Sequence, residues 1–191
     1  MLTNKKIGFA LTGSFCTIPS IFKHIAKLKD NGATIFPVLS FNVAQIDSRF
    51  ISAQDIVKNL NELTDKKIIN SIDSAEPIGP KNYLDALVIA PCTGNTLSKI
   101  ASGISDTPVT LAAKAILRNK KPLIIAVSTN DGLASNAINL AKLLDKKDVY
   151  FVPFAQDDPI TKSTSLIANF DKIGDTIKEA LEGKQIQPII D

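Results

Sequence analysis

The chain has 191 residues, of which 45% are hydrophobic and 21% charged, and a formal net charge of +3, which is typical of one globular domain. Two cysteines and one histidine exclude a zinc or iron–sulfur centre, and scattered lysines without interleaved aromatic residues exclude a nucleic-acid-binding surface. No apolar run has the length of a membrane span or of a signal-peptide core, which predicts a protein of the reducing cytoplasm.

Taken in chain order, the apolar segments alternate between strands and helices. Nearly unbroken apolar runs predict strands at residues 7–11, 34–39, 86–90, 123–127 and 149–152, with a shorter one at 68–69. Apolar residues at helical spacing predict helices at residues 18–28, 52–63, 97–104, 108–117, 132–144 and 166–181. The remaining segments are predicted to be irregular, with residues 76–80 interrupted by prolines and residues 156–162 forming a polar loop.

This alternation determines the predicted fold class. Strands that are apolar on both faces are typical of a parallel sheet covered by helices on both sides. Right-handed crossovers then favour a Rossmann-like, doubly wound parallel sheet. We predict a single α/β domain with three α/β/α layers over residues 1–183, followed by a C-terminal tail at residues 184–191 that is ordered only if a partner holds it.

Four polar clusters follow the predicted strands and fall on one rim of the sheet. Ligands of open α/β sheets bind beyond the carboxyl ends of the strands, where helix N-termini also point. Each cluster alone is also typical of an ordinary helix cap, but together they favour a pocket for a polar, anionic small molecule. The clusters are Thr12, Gly13, Ser14 and Thr17; Ser40, Phe41 and Asn42; Thr93, Gly94, Asn95 and Thr96; and Ser128, Thr129, Asn130 and Asp131.

The first cluster is typical of a mononucleotide phosphate site. It lacks the Lys-Ser/Thr ending of a Walker loop, and the glycine after Gly13 is Gly32, so the dinucleotide fingerprint is absent. Gly13 permits close approach of a phosphate to the backbone. Ser14 or Cys16 would need a base to act as a nucleophile, and we expect His24, about two helical turns further on, at the surface.

Several phrases carry a family resemblance. Residues 91–96, Pro-Cys-Thr-Gly-Asn-Thr, are similar to the Pro-Ala-Ser-Ala-Asn-Thr motif of the homo-oligomeric flavin-containing cysteine decarboxylase superfamily. Gly13-Ser14 and residues 99–106 extend this resemblance. Later phrases resemble the family of dipicolinate synthase B subunits within that superfamily. These phrases are residues 112–115, 126–131, 149–157 and 181–188.

The sequence departs from the cysteine decarboxylase pattern at two places. Those enzymes have a catalytic histidine about a dozen residues before the motif, whereas residues 76–80 contain none. Their later Pro-x-Met-Asn-x-x-Met segment corresponds to residues 127–133, which keep only the asparagine. Both departures argue against decarboxylation of a peptidyl cysteine.

The resemblance implies an oxidoreductase subunit. It would help oxidise a dihydrodipicolinate-type intermediate to dipicolinate, a pyridine dicarboxylate, for spore formation in the mother-cell cytoplasm of a bacterium. It would act with the A subunit of dipicolinate synthase, which carries NAD(P), and would form a homotrimer or homododecamer. A dicarboxylate substrate favours arginines, but the chain has only Arg49 and Arg118, so we expect either the partner chain with NAD(P) or another protomer to help bind it.

The resemblance also implies an FMN site without a metal. Asn95 would meet the ribityl chain or the isoalloxazine edge and Asn130 the ring or the substrate, which makes these two the expected catalytic residues. The other expected cofactor-binding residues are Thr12, Gly13, Ser14, Thr17 and Ser40 near the phosphate, and Thr93, Gly94, Thr96, Ser128 and Thr129. Two alternatives remain open: a non-catalytic scaffold subunit, and another FMN-dependent decarboxylase or flavin prenyltransferase of the superfamily.

Overall fold

Seven strands form one sheet in the computed structural model, which describes residues 2–191. The strands are β1 Lys6–Leu11, β2 Thr34–Leu39, β3 Ala86–Cys92, β4 Leu123–Thr129, β5 Val149–Phe151, β6 Phe154–Asp158 and β7 Lys162–Ala168. Strands β1 to β5 are parallel and lie in the order β2-β1-β3-β4-β5. In this doubly wound order the direction of winding reverses between β1 and β3, which is where such folds bind ligands.

Helices cover both faces of the parallel strands, as predicted. The helices are α1 Ile18–Asp30, α2 Phe41–Gln45, α3 Ala53–Leu63, α4 Ile72–Ala75, α5 Ile78–Lys81, α6 Gly94–Ala101, α7 Pro108–Arg118, α8 Ala137–Leu144 and α9 Ile173–Leu181. Helix α1 packs against α3 and α9, while α6 packs against α7 and α8. All seven residues of β3 are buried, as expected for a central strand covered on both faces. No helix within residues 2–191 has the length and apolarity needed to cross a membrane.

The segment after β5 differs from the sequence prediction. The polar loop predicted at residues 156–162 and the start of the helix predicted at 166–181 are wrong, because β6 and β7 form an antiparallel hairpin there. The final helix begins only at Ile173, after a 3-10 turn at Phe170–Lys172. The hairpin extends the sheet by pairing with the last two residues of β4, Ser128 and Thr129.

Other local predictions are also corrected. Residues 76–80 are not irregular throughout, since α5 begins at Ile78. The short strand predicted at residues 68–69 is reduced to an isolated bridge between Ile69 and Val38. His24 is buried rather than at the surface, with 5% of its area exposed, because its helix face packs beside Phe170.

The segment expected to form a tail lies against the sheet. The Gln185 side chain accepts a hydrogen bond from the Phe151 amide and donates one to the Phe151 carbonyl, both at 2.7 Å. Ile190 then forms a parallel bridge with Phe154. Residues of this chain therefore hold the segment along β5 and β6.

Candidate functional site

A cleft of about 830 Å³ opens at the carboxyl ends of β1, β3 and β4, beside the reversal in strand order. Three of the predicted polar clusters contribute to it, and the β6–β7 hairpin, which pairs with the end of β4, forms a further wall. The lining residues are Gly13, Ser14, Phe15, Cys16, Thr17, Ser20, Phe50, Thr93, Gly94, Asn95, Ser128, Thr129, Asn130, Asp131, Asp157, Lys162, Ser165, Leu166, Ile167 and Phe170.

Three hydroxyl groups meet within this cleft. The Oγ atom of Ser14 lies 2.8 Å from Oγ of Ser128 and 3.2 Å from Oγ1 of Thr17. Thr17 Oγ1 and Ser128 Oγ are 3.3 Å apart, and both residues are buried. Each hydroxyl can rotate its hydrogen away from its neighbours and donate it to a ligand oxygen. We call Ser14, Thr17 and Ser128 the hydroxyl triad.

The N-terminus of α1 opens beside the hydroxyl triad. Thr17 precedes this helix, but its side chain makes no capping hydrogen bond. By contrast, side-chain hydroxyls cap α2, α3, α6 and α7. A Cβ atom built on Gly13 would meet only Phe15, at 3.6 Å, so the loop before α1 leaves open space above its backbone. The positive end of the α1 dipole and the hydroxyl donors together suit an anionic group such as a phosphate.

Thr12 and Thr93 hold the ends of β1 and β3 together. The Thr12 hydroxyl donates to the Pro91 carbonyl at 2.7 Å and accepts from the Thr93 amide at 2.9 Å. Thr93 in turn caps α6 through the Thr96 amide. Thr12 is 1% exposed and Thr96 7% exposed, and neither lines the cleft. Thr12 and Thr96 support the walls of the site, and their hydroxyls already form hydrogen bonds within the protein.

The second predicted cluster lies apart from the other three. Ser128, Thr129 and Asn130 line the cleft, whereas Ser40 caps α2 by accepting from the Val43 amide and lies outside the cleft lining. The structure thus brings together the clusters after β1, β3 and β4 and leaves the one after β2 apart. Strand β2 lies at the sheet edge, on the far side of β1 from β3, which accounts for the separation.

Asp131 fixes the loop that follows β4. One carboxylate oxygen accepts from Thr129 Oγ1 at 2.5 Å and the other from Asn136 Nδ2 at 2.7 Å. Gly94 packs directly on this arrangement, since an added Cβ would lie within 2.5 Å of both donor atoms. The start of α6 can therefore approach β4 only because residue 94 has no side chain.

The two asparagines expected to be catalytic both line the cleft and are exposed. Asn95 follows Gly94 in the first turn of α6, and Asn130 follows the end of β4. Within residues 2–191, neither side-chain amide makes a hydrogen bond to protein. Each amide carries both a donor and an acceptor, so it can pair with a ring nitrogen, carbonyl or hydroxyl of a ligand.

The wall formed by the hairpin and by the loop before α3 was not predicted from the sequence. Phe50, Asp157, Lys162, Ser165 and Ile167 line the cleft from these segments. The sequence signal of the hairpin is a polar stretch that ends in a short apolar run at residues 166–168, which is too short to define a strand pattern. Arg49 stacks on Phe50, with its guanidinium carbon 4.8 Å from the ring centre.

Titratable groups in the cleft are few. His24 lies outside it, with Nδ1 3.8 Å from Asp171 Oδ1, and burial lowers the pKa of this imidazole although Asp171 raises it. Cys16 is exposed within the cleft, whereas Cys92 is buried and burial raises the pKa of its thiol. No histidine of the described residues therefore lies where it could act as a base in the cleft.

Together, the sheet order and the covering helices define a doubly wound α/β protein with a polar cleft at its strand-order reversal. The Flavoprotein family model matches residues 1–182, and the chain belongs to this family. It is 46% identical over 189 residues to the B subunit of dipicolinate synthase from Bacillus subtilis strain 168, a match that covers 99% of this chain and 94% of the relative.

Solved structures confirm the predicted fold and family. The crystal structure of the B subunit of dipicolinate synthase from Bacillus halodurans has a TM-score of 0.92 at 40% identity, covering 100% of this chain and 97% of that one. An FMN-dependent cysteine decarboxylase from thioviridamide biosynthesis has a TM-score of 0.60 at 25% identity, covering 74% and 85% of the two chains. The resemblance to B subunits of dipicolinate synthase, inferred from short phrases, thus extends over the whole chain.

Proposed function

We propose that this chain is the B subunit of a dipicolinate synthase and that it binds FMN in the cleft. The observation that carries the proposal is the hydroxyl triad beside the uncapped N-terminus of α1, at the reversal in strand order. The extent of identity to the Bacillus subtilis protein supports the reaction class, and the FMN-dependent decarboxylase of the same fold supports the cofactor.

The residues of the cleft fit the chemistry of FMN. Ser14, Thr17 and Ser128 offer hydroxyl donors for a phosphate, and the positive end of the α1 dipole adds a favourable field. Phe15 and Phe50 present apolar surface against which a flat ring can pack. A bound flavin would supply a two-electron acceptor. The volume of about 830 Å³ lies in the usual range for a cofactor site.

The residues of the chain have the roles of binding and orientation. Asn95 and Asn130 would position the ring edge and the substrate through their exposed amides. Oxidation of a dihydropyridine dicarboxylate removes two electrons and two protons and produces an aromatic ring. The cleft contains no histidine, and its two carboxylates, Asp131 and Asp157, already accept hydrogen bonds from other side chains, so its polar groups are suited to orienting the ring.

A partner chain that carries NAD(P), the A subunit, would complete the enzyme, and the name of the Bacillus subtilis relative supports the existence of such a partner. We also propose that this chain forms a homo-oligomer, as does a dodecameric FMN-dependent decarboxylase from Escherichia coli that shares its fold. A second protomer would place additional side chains over the open mouth of the cleft.

The second candidate function is that of a non-catalytic partner subunit. It is favoured by one observation: the only histidine is buried against Asp171 and Phe170, away from the cleft. In that case the A subunit would perform the oxidation, and this chain would stabilise or orient it.

A spectrum and a reconstitution assay separate the candidates. The purified chain is expected to be yellow, and Asn95→Ala is expected to lose the colour whereas Asn61→Ala, on the exposed face of α3, retains it. Dihydrodipicolinate oxidation is then measured with only the A subunit present and with both chains. A colourless chain that still increases turnover supports the partner role. Unchanged dipicolinate formation contradicts both functions and leaves a decarboxylase or prenyltransferase activity of the superfamily to be assayed.

A further inference from the structure

The β6–β7 hairpin brings a single cation into the cleft. Among the lining residues, Lys162 is the only lysine, arginine or histidine, and Asp131 and Asp157 are the only carboxylates. The side chains of the lining therefore carry more negative than positive charge. A ligand with several carboxylates is best matched by a cationic group, and within the lining only Lys162 supplies one.

The two carboxylates differ in how firmly they are held. Both oxygens of Asp131 accept hydrogen bonds within the β4 loop, from Thr129 and Asn136. Asp157 uses its Oδ2 atom to accept from Lys162 Nζ at 2.6 Å. That ion pair is accessible, with 57% of the Lys162 side chain and 33% of the Asp157 side chain exposed. Ion pairs of this kind open at little cost in free energy, so Lys162 can exchange partners.

Other contacts fix the hairpin, so it does not depend on this ion pair. Gln156 Nε2 donates to the Ser163 carbonyl at 2.9 Å, and the backbone ladder joins Asp158 to Lys162. Asp158 Oδ1 accepts from the amides of Ile160 and Thr161 at 3.0 Å, which closes the turn. The hydrogen bond that Lys162 donates to Asp157 raises the pKa of Lys162 and keeps its ammonium charged.

We propose that Lys162 binds a carboxylate of the substrate and that Asp157 holds the ammonium in place until the substrate replaces it. Lys162 is then the residue of this chain that selects a dicarboxylate over a neutral ring of the same shape. This inference rests on the proposed function for the substrate class. It also accounts for an anionic substrate in a chain whose arginines lie outside the lining, since Arg49 only stacks on Phe50 and Arg118 lies on α7.

A phosphate of the cofactor would offer the same anionic chemistry to Lys162. The substrate is favoured, because the hydroxyl triad and the α1 N-terminus already provide phosphate donors, whereas Lys162 is the one cation in the lining that a carboxylate could pair with. The two sources are distinguished by comparing FMN with riboflavin, which lacks the phosphate.

Calorimetry with defined ligands tests the inference. Pyridine-2,6-dicarboxylate and its neutral diamide are titrated into the wild-type chain as purified and into Lys162→Met, Asp157→Asn and Lys178→Met. Lys178 is a matched control because it also pairs with an aspartate, Asp175, at 3.0 Å but on α9. Lys162→Met is expected to weaken dicarboxylate binding about tenfold, as loss of one charge-assisted hydrogen bond should. Asp157→Asn is expected to strengthen it several-fold because the competing carboxylate is gone.

The inference is supported if Lys162→Met weakens and Asp157→Asn strengthens dicarboxylate binding. Binding of the diamide, and dicarboxylate binding by Lys178→Met, should both be as in wild type. If the pair merely fastened the hairpin, both variants would weaken every ligand and lower the melting temperature together. If the wild-type chain binds the dicarboxylate and Lys162→Met binds it equally well, the proposed role of Lys162 is wrong while the proposed function stands. If Lys162→Met loses affinity for FMN but not for riboflavin, Lys162 binds the phosphate, and its proposed role in substrate binding is also wrong. Absence of dicarboxylate binding by the wild-type chain contradicts the proposed substrate class itself.

Discussion

The Oγ atoms of Ser14 and Ser128 lie 2.8 Å apart although 114 residues separate them in the sequence. Ser14 follows β1, and Ser128 lies near the end of β4. Strand β3 stands between those two strands in the sheet, so the contact crosses the end of β3. A ligand oxygen that takes a hydrogen bond from each serine would therefore connect the two halves of the doubly wound fold.

Replacing either serine by alanine is expected to weaken FMN binding about tenfold, because each variant removes one hydroxyl donor to a charged oxygen. Quenching of flavin fluorescence during titration measures the affinity. Riboflavin should bind the Ser14→Ala, Ser128→Ala and wild-type chains equally, since it lacks the phosphate. Ser102→Ala, at the exposed end of α6, serves as the matched control. An equal loss of affinity for both flavins would place the phosphate elsewhere.

Cys16 provides a chemical probe of the same cleft. It is exposed among the lining residues, whereas Cys92 is buried and burial raises the pKa of its thiol, so only Cys16 should react with a maleimide in the native chain. Mass spectrometry is expected to show one added group under native conditions and two after unfolding. Saturating FMN should slow the native reaction at least severalfold, while Cys16→Ser should not react. A rate of Cys16 labelling that does not change when FMN is added would contradict FMN binding beside Cys16.

The close approach of Gly94 to β4 predicts a cost in stability. A Cβ atom at this position would lie 2.5 Å from Asn136 Nδ2 and 2.6 Å from Asp131 Oδ1, so Gly94→Ala must displace the loop. We expect a loss of about 1–3 kcal/mol in the free energy of unfolding, measured by urea denaturation. Gly174→Ala is the control, because its Cβ would meet only Leu28 at 3.7 Å within α9. That variant should be as stable as wild type or about 0.5–1 kcal/mol more stable.

The parallel part of the fold could be predicted from the sequence because its strands are buried on both faces. Such strands are continuous apolar runs, as in β3, where local composition and final environment agree. The same agreement made the polar residues after β1, β3 and β4 recognisable as parts of one rim. Pro37 lies in β2, which is an edge strand, where a residue without a backbone N–H is tolerated.

The hairpin could not be predicted, because its stability comes from long-range pairing. The first residues of β7 are polar and exposed, and the strand is defined by its pairing with β6 and with the end of β4. Lys162 and Asp157 therefore lie in a stretch whose local composition is that of a solvated loop. His24 was misplaced for a related reason: its lysine neighbours suggest an exposed helix face, but Phe170, from a distant segment, packs beside it.

Burial of His24 predicts a loss of stability on acidification. Burial lowers the pKa of its imidazole below 6.5, and the nearby charge of Asp171 opposes the shift only in part. The unfolded chain therefore binds more protons than the folded chain as the pH falls below 6.5. The free energy of unfolding decreases in that range, whereas above it the stability associated with neutral His24 is fully retained. Asp171 itself has its pKa lowered from 3.8, chiefly by Lys27, and so titrates below that range.

Urea denaturation at about pH 7.5, 6.5 and 5.5 measures this effect. His24→Gln is expected to flatten the part of the pH dependence that wild type shows below 6.5. Asp171→Asn should make the loss larger, because it removes the one charge that favours the protonated imidazole. If wild type and His24→Gln lose stability in parallel over this range, other groups cause the acid sensitivity. A smaller loss in Asp171→Asn would show that this carboxylate does not stabilise the His24 cation in the folded state.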